Sequence, residues 1–159
     1  SLIIADSTIK EVIKYSAKDS MYTSLRDKKV YLYGEAKVEM ESMKMSAGYI
    51  LIDLNKNEVS ASYIYDADSM KIQKPVFSDG KEEINAEKIR YNLKTKKGYI
   101  QETKIKQDEI FINMQVAKRH KNEQIHFVKG SFSTCDLEEP HYHFHLTKAI
   151  MIPYFKIFT

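Results

Sequence analysis

Near the end of the chain, His141, His143 and His145 alternate with Tyr142, Phe144 and Leu146. Alternate residues of a strand share a face, so a strand here would set three imidazoles side by side. Imidazole nitrogens ligate zinc, iron and related cations. Cys135 and Asp136 lie a short loop upstream. This cluster is where the residue types suggest a metal site, and with it a metal-dependent cupin-like enzyme or a sugar-binding jelly roll. Such a centre also needs a nearby Glu, and Leu146 to Pro153 carries no acid. Successive same-face positions are also about 7 Å apart at Cα, wide for one ion. The simpler reading makes the histidines a polar outer face opposite a core side of Tyr142, Phe144 and Leu146. Cys135 as a nucleophile would need a base brought beside it by the fold. The sequence has no Gly-rich phosphate loop, no Gly-x-Ser-x-Gly and no paired carboxylates in a catalytic context. The residue types favour a non-catalytic protein with no cofactor.

The elements that would carry these residues are strands. Val30, Leu32, Gly34, Ala36, Val38 and Met40 alternate with Tyr31, Tyr33, Glu35, Lys37 and Glu39, giving one apolar face and one polar or aromatic face. Ile110, Ile112, Met114 and Val116 repeat the pattern, as do Val59, Ala61, Tyr63 and Tyr65. Ser7 to Tyr15 reads as a strand or an irregular lead-in.

The chain also repeats itself. Met45-Ser46-Ala47 is followed by Ile50, Leu54 and a new strand at Val59; Ile84-Asn85-Ala86 is followed by Ile89, Leu93 and a new strand near Gly98. A degenerate copy runs from Tyr15-Ser16-Ala17 to Leu25 and Val30. Leu25, Leu54 and Leu93 stand 29 and 39 residues apart, which places an insertion of ten residues around Asp66 to Pro75. Each unit reads as strand, polar turn, strand, with turns at 26–29, 55–58 and 95–97. The step of three from Ala to Ile breaks strict alternation, and a β-bulge would absorb the extra residue.

Length and composition fit one domain, 1–159, with a lead-in over 1–14. Hydrophobic residues make up 43% and charged residues 30%. A net charge of +3 and scattered basic residues argue against a nucleic-acid partner. One cysteine excludes an internal disulfide. The abrupt start at Ser1 and the end at Thr159 read as a piece excised from a longer polypeptide.

The string Val30-Tyr31-Leu32-Tyr33-Gly34-Glu35-Ala36-Lys37-Val38, then Met45-Ser46-Ala47-Gly48-Tyr49-Ile50, then Asn55-Lys56-Asn57-Glu58-Val59-Ser60-Ala61 resembles the OstA/LptA repeat. The ending Ser133-Thr134-Cys135-Asp136, Pro140-His141-Tyr142-His143-Phe144 and Leu146-Thr147-Lys148 resembles the periplasmic domain of LptD, the lipopolysaccharide-assembly protein, in its Bacteroidetes form. The resemblance implies an all-β, twisted, partly open antiparallel jelly roll, or β-taco, built from repeated hairpins. It implies a periplasmic location at the outer membrane and lipopolysaccharide acyl chains on the inner face. It further implies edge-to-edge pairing with similar domains and an outer-membrane β-barrel in the same full-length chain. Joined to the alternation, it assigns the lipid face to Val30, Leu32, Ala36, Val38, Ile50, Ile52, Leu54, Val59, Ala61, Ile110, Ile112, Met114 and Val116, with Gly34, Ala36, Ala47, Ala61 and Ala86 leaving room.

Overall fold

The computed structural model describes residues 2–4, 12–80, 83–107, 110–120, 124–134, 141–152 and 156–158. Among them every regular element is a strand. In chain order these are β1 (Leu2–Ile4), β2 (Ile13–Ser16), β3 (Ser20–Ser24), β4 (Lys29–Met40), β5 (Met43–Asp53), β6 (Glu58–Ser62), β7 (Ile64–Tyr65) and β8 (Lys71–Ile72). They continue with β9 (Val76–Ser78), β10 (Glu83–Asn92), β11 (Gly98–Gln107), β12 (Ile110–Arg119), β13 (Ile125–Ser133), β14 (Phe144–Ile152) and β15 (Lys156–Phe158).

All but β7 and β8 join one antiparallel sheet ordered β1-β2-β4-β5-β6-β10-β11-β12-β13-β14-β15. Near-sequential order is what hairpin repeats must give, since each turn returns the chain beside the strand it left. β3 continues the line of β2 along β4. β6 and β9 likewise share the place between β5 and β10. Among the described residues no ladder joins β1 to β15, so the roll is open at that seam.

The turns carry the repeat. Lys28, Asn57 and Lys96 hold the left-handed conformation, with φ of 50°, 52° and 57°. They occupy the same place in successive units. The turns also stack: Leu54 N–H donates to Lys28 O at 3.0 Å, and Leu93 N–H donates to Asn57 O at 2.8 Å. Side chains copy the pattern, with Asn55 Nδ2 donating to Asp27 O and Asn92 Nδ2 to Lys56 O. Buried Asp53 accepts the N–H groups of Asn55 and Lys56, closing its turn.

The step of three runs well beyond the two units that reveal it in sequence. The buried face passes from Ala47 to Ile50 and from Ala86 to Ile89, and again from Ile100 to Thr103, Met114 to Ala117, Phe127 to Gly130 and Leu146 to Ala149. These steps lie side by side. Register is the same on both sides of the step in β10–β11, β11–β12, β12–β13 and β13–β14. Neighbouring strands therefore make the step together and form a crease across the sheet, not a series of one-sided bulges. Only at β4–β5 does the register shift, between Tyr33 and Ala36. There Gly34 and Glu35 take φ of 71° and 44°. Glu102 and Lys129 make similar left-handed turns further along, at 51° and 52°.

Candidate functional site

The crease lets one continuous apolar face line both halves of the folded sheet. Val30, Leu32, Ala36, Val38, Ile50 and Val59 are fully buried, and Ile52, Ala61, Ile112 and Met114 nearly so. Ten of the thirteen residues expected on the lipid face therefore belong to one buried cluster. Leu54 packs against its rim, half-buried. The side chain of Ile110 lies outside the described residues.

Val116 is a correction. Strict alternation from Ile112 would turn it inward, but the crease falls between Met114 and Ala117. Ala117 takes the inner place, and Val116 is half-buried on the opposite face. The same applies to Tyr63 and Tyr65: β6 ends at Ser62, so the alternation begun by Val59 and Ala61 stops there.

The inner face also includes residues outside those thirteen. Ile13 and Tyr15 of β2, Met40, Met43 and Met45 around the β4–β5 turn, and Phe77 of β9 are buried. Ile84, Ile89 and Tyr91 of β10 join them, as do Ile100, Ile125, Phe127 and Met151. The usable signal for β10 was the repeat itself, since Ile84, Ala86 and Ile89 match Met45, Ala47 and Ile50. Among the described residues, the buried polar ones are Asp53, at its turn, and Thr103 and Ser133. Thr103 Oγ1 donates to Asn85 O, and Ser133 Oγ donates to Tyr142 O at 2.7 Å. No lysine, arginine or glutamate is buried among the described residues.

At one end this face meets water. Phe132 and Phe144 are cross-strand partners in β13 and β14, with rings stacked at 4.9 Å and an interplanar angle of 18°. Phe144 is 60% exposed. The expected core trio thus divides: Leu146 is buried, while Phe144 and Tyr142 are exposed.

The insertion becomes a strap over the outer side of the crease. β7 and β8 form a small hairpin within it. Gly48 N–H donates to Gln73 O at 2.7 Å, Glu35 N–H donates to Gln73 Oε1 at 2.8 Å, and Ala86 N–H donates to Pro75 O at 3.1 Å. Ile64 fills the hollow left by the missing side chain of Gly48. Lys71 and Lys74 both reach Glu87. The hydrogen bond from Lys71 leads in holding that carboxyl below its ordinary range, against the opposing effect of burial.

The histidines do not form the expected trio. His143 and His145 converge, with Nε2 atoms 2.9 Å apart, so one imidazole donates to the other. No group of three His, Cys, Asp or Glu residues able to hold a metal forms among the described residues, so His141 does not complete a site. All three histidines are exposed, and of them only His145 belongs to a strand, since β14 begins at Phe144. Cys135 and Asp136 lie outside the described residues.

No protein-family model matches the sequence, and no curated protein matches it. Among solved structures, the fold is similar to LptH of Pseudomonas aeruginosa, described as the LptA-homologous periplasmic component of the lipopolysaccharide transport device. The match has a TM-score of 0.55 at 12% identity and covers 84% of this chain and 93% of that one. The all-β, antiparallel, LptA-like jelly roll anticipated from the repeat is the fold of this chain.

Proposed function

We propose that this chain is a non-enzymatic lipopolysaccharide transport and assembly module of the periplasm, holding acyl chains against its inner face. The carrying observation is the inner face itself, a continuous apolar surface on both sides of the crease, on which the hydroxyl of Thr103 is tied to the backbone of Asn85. The similarity to LptH supports the same reading. An acyl chain suits such a face because each buried CH₂ contributes about 0.8 kcal/mol and needs no polar partner. The buried methionines are adaptable neighbours for a flexible guest. The inner residues pack against one another, so acyl chains enter by replacing that packing. The open seam and the exposed Phe132–Phe144 end are the places where the layers can part.

In the same reading, unpaired edges at the ends of the sheet order join neighbouring LptA-like domains by strand addition. In this reading the ending that resembles LptD supports a place beside an outer-membrane β-barrel in the same full-length chain. A binding comparison tests the proposal. Lipopolysaccharide should bind and its fully deacylated form should not, and Ile52→Val should weaken binding while leaving a folded β spectrum. Equal binding of both forms would overturn it.

A further inference from the structure

We infer that the outer face of β11–β14 is a docking surface for an anionic phospholipid membrane. This does not depend on acyl chains in the interior. The ladders place Gln101, Val116, Val128 and Lys148 in one outward row, and Tyr99, Lys118, His126 and Ile150 in the next. Val116, Val128 and Ile150 form the apolar floor of a shallow hollow of ≈ 650 Å³, and Lys118 and Lys148 stand exposed at its rim. Val128 is 37% exposed. An apolar floor alone would not name its occupant; the charge around it does.

Lys118 and Lys148 make no ion pair among the described residues, and none of the hollow's lining residues is acidic. The next hollow on the same face adds Lys97 and Arg90. Its acid, Glu58, is taken up by Arg90 at 4.0 Å, and the Arg90 guanidinium also lies over the Tyr99 ring, 5.2 Å from its centre. His120 lies in this second hollow, its pKa held below the ordinary value by burial and then by His126, Lys97 and Lys118. The other half of the outer face differs in kind: Lys18 pairs with Glu35 there.

Cations around small apolar side chains match a lipid–water interface, where lysines meet phosphates and the apolar groups reach past the headgroups. A purely polyanionic partner would leave the apolar floor unused, and a neutral bilayer would leave the lysines unused.

Co-sedimentation of the protein with lipid vesicles tests this. Vesicles of phosphatidylcholine containing phosphatidylglycerol should bind the protein, and added salt should weaken binding. Vesicles of phosphatidylcholine alone should not bind. Lys118→Gln with Lys148→Gln should weaken binding by about 25-fold, at about fivefold per lysine. Val128→Ser should weaken it further. Lys37→Gln with Lys44→Gln, which makes the same change in net charge on the other half, should leave binding unchanged. Equal binding to both vesicle types, no binding of the wild type, or equal losses in the two double variants would overturn the inference. These exposed substitutions leave the inner face intact, so lipopolysaccharide binding reports on the interior separately.

Discussion

The backbone N–H of Gly48 donates to the carbonyl of Gln73 at 2.7 Å, across the point where the sheet creases. The bond matters because a crease interrupts the ladder, and a backbone donor left without a partner costs free energy. Here the insertion returns to supply acceptors, two of them from Gln73.

Gly48→Ala should therefore destabilise the protein by about 1–3 kcal/mol through overpacking. The added Cβ would lie 2.7 Å from Ile64 Cγ1 and 2.9 Å from the Ile64 backbone nitrogen. Ile64→Ala in that background should recover only part of the loss, because the backbone atom remains. Urea denaturation measures both, and a neutral Gly48→Ala would mean that the strap does not rest on the crease.

Gly34→Ala should cost about 1–3 kcal/mol for a second reason, backbone strain. Gly34 has a φ of 71°, and a Cβ there would also meet the side chain of Asp19, with its Cβ at 2.8 Å. Asp19→Gly should relieve the contact but not the conformational cost. Full rescue by Asp19→Gly would show that sterics alone require the glycine.

The orientation of β12 predicts a contrast between two aliphatic residues four apart. Ile112→Ala should destabilise by about 2–5 kcal/mol, as for other buried aliphatic side chains, because Ile112 is 1% exposed. Val116→Ala should fall nearer the range for surface changes, about 0.5 kcal/mol. Strict alternation makes the two losses similar, so comparing denaturation midpoints decides between it and the crease.

That contrast marks how far the sequence could be read. Alternation along 30–40 and the 29- and 39-residue spacings revealed strands and turns, because each is local and periodic. The step of three was visible at Ala47–Ile50 and Ala86–Ile89, where a repeat drew attention to it. At Met114–Ala117 no repeat did so, and Val116 was placed on the wrong face. A crease is a property of adjacent strands, and its consequences for one strand depend on neighbours far away in sequence. The strap was legible only as extra length, since nothing in Gln73 announces the two backbone donors that it meets. The histidines were expected on one face of a strand, but β14 begins only at Phe144, and the pair that meets, His143 and His145, does so through side-chain rotamers that alternation does not announce.

Acid should destabilise the protein partly through His120. Its ring packs on His126, with centroids 4.4 Å apart, and its folded pKa is lowered first by burial and then by neighbouring cations. The unfolded chain then binds the proton more readily. Stability from this site is fully present above the unfolded value of about 6.5 and is lost as pH falls through it toward the folded value. Between about pH 7.5 and about pH 5.5 the wild type should lose more stability than His120→Gln. Equal losses in the two proteins would remove His120 from the acid response.

The most direct test of lipid carriage is site-specific photocrosslinking to lipopolysaccharide. A photoreactive residue replaces Val38, Ile52, Val116 or Lys37 in turn, and adducts are detected by their lipid A content. Adducts at Val38 and Ile52, with none at Val116 or Lys37, are the predicted result. Adducts confined to the outer positions, or none at Val38 and Ile52 in a folded protein, would contradict the account.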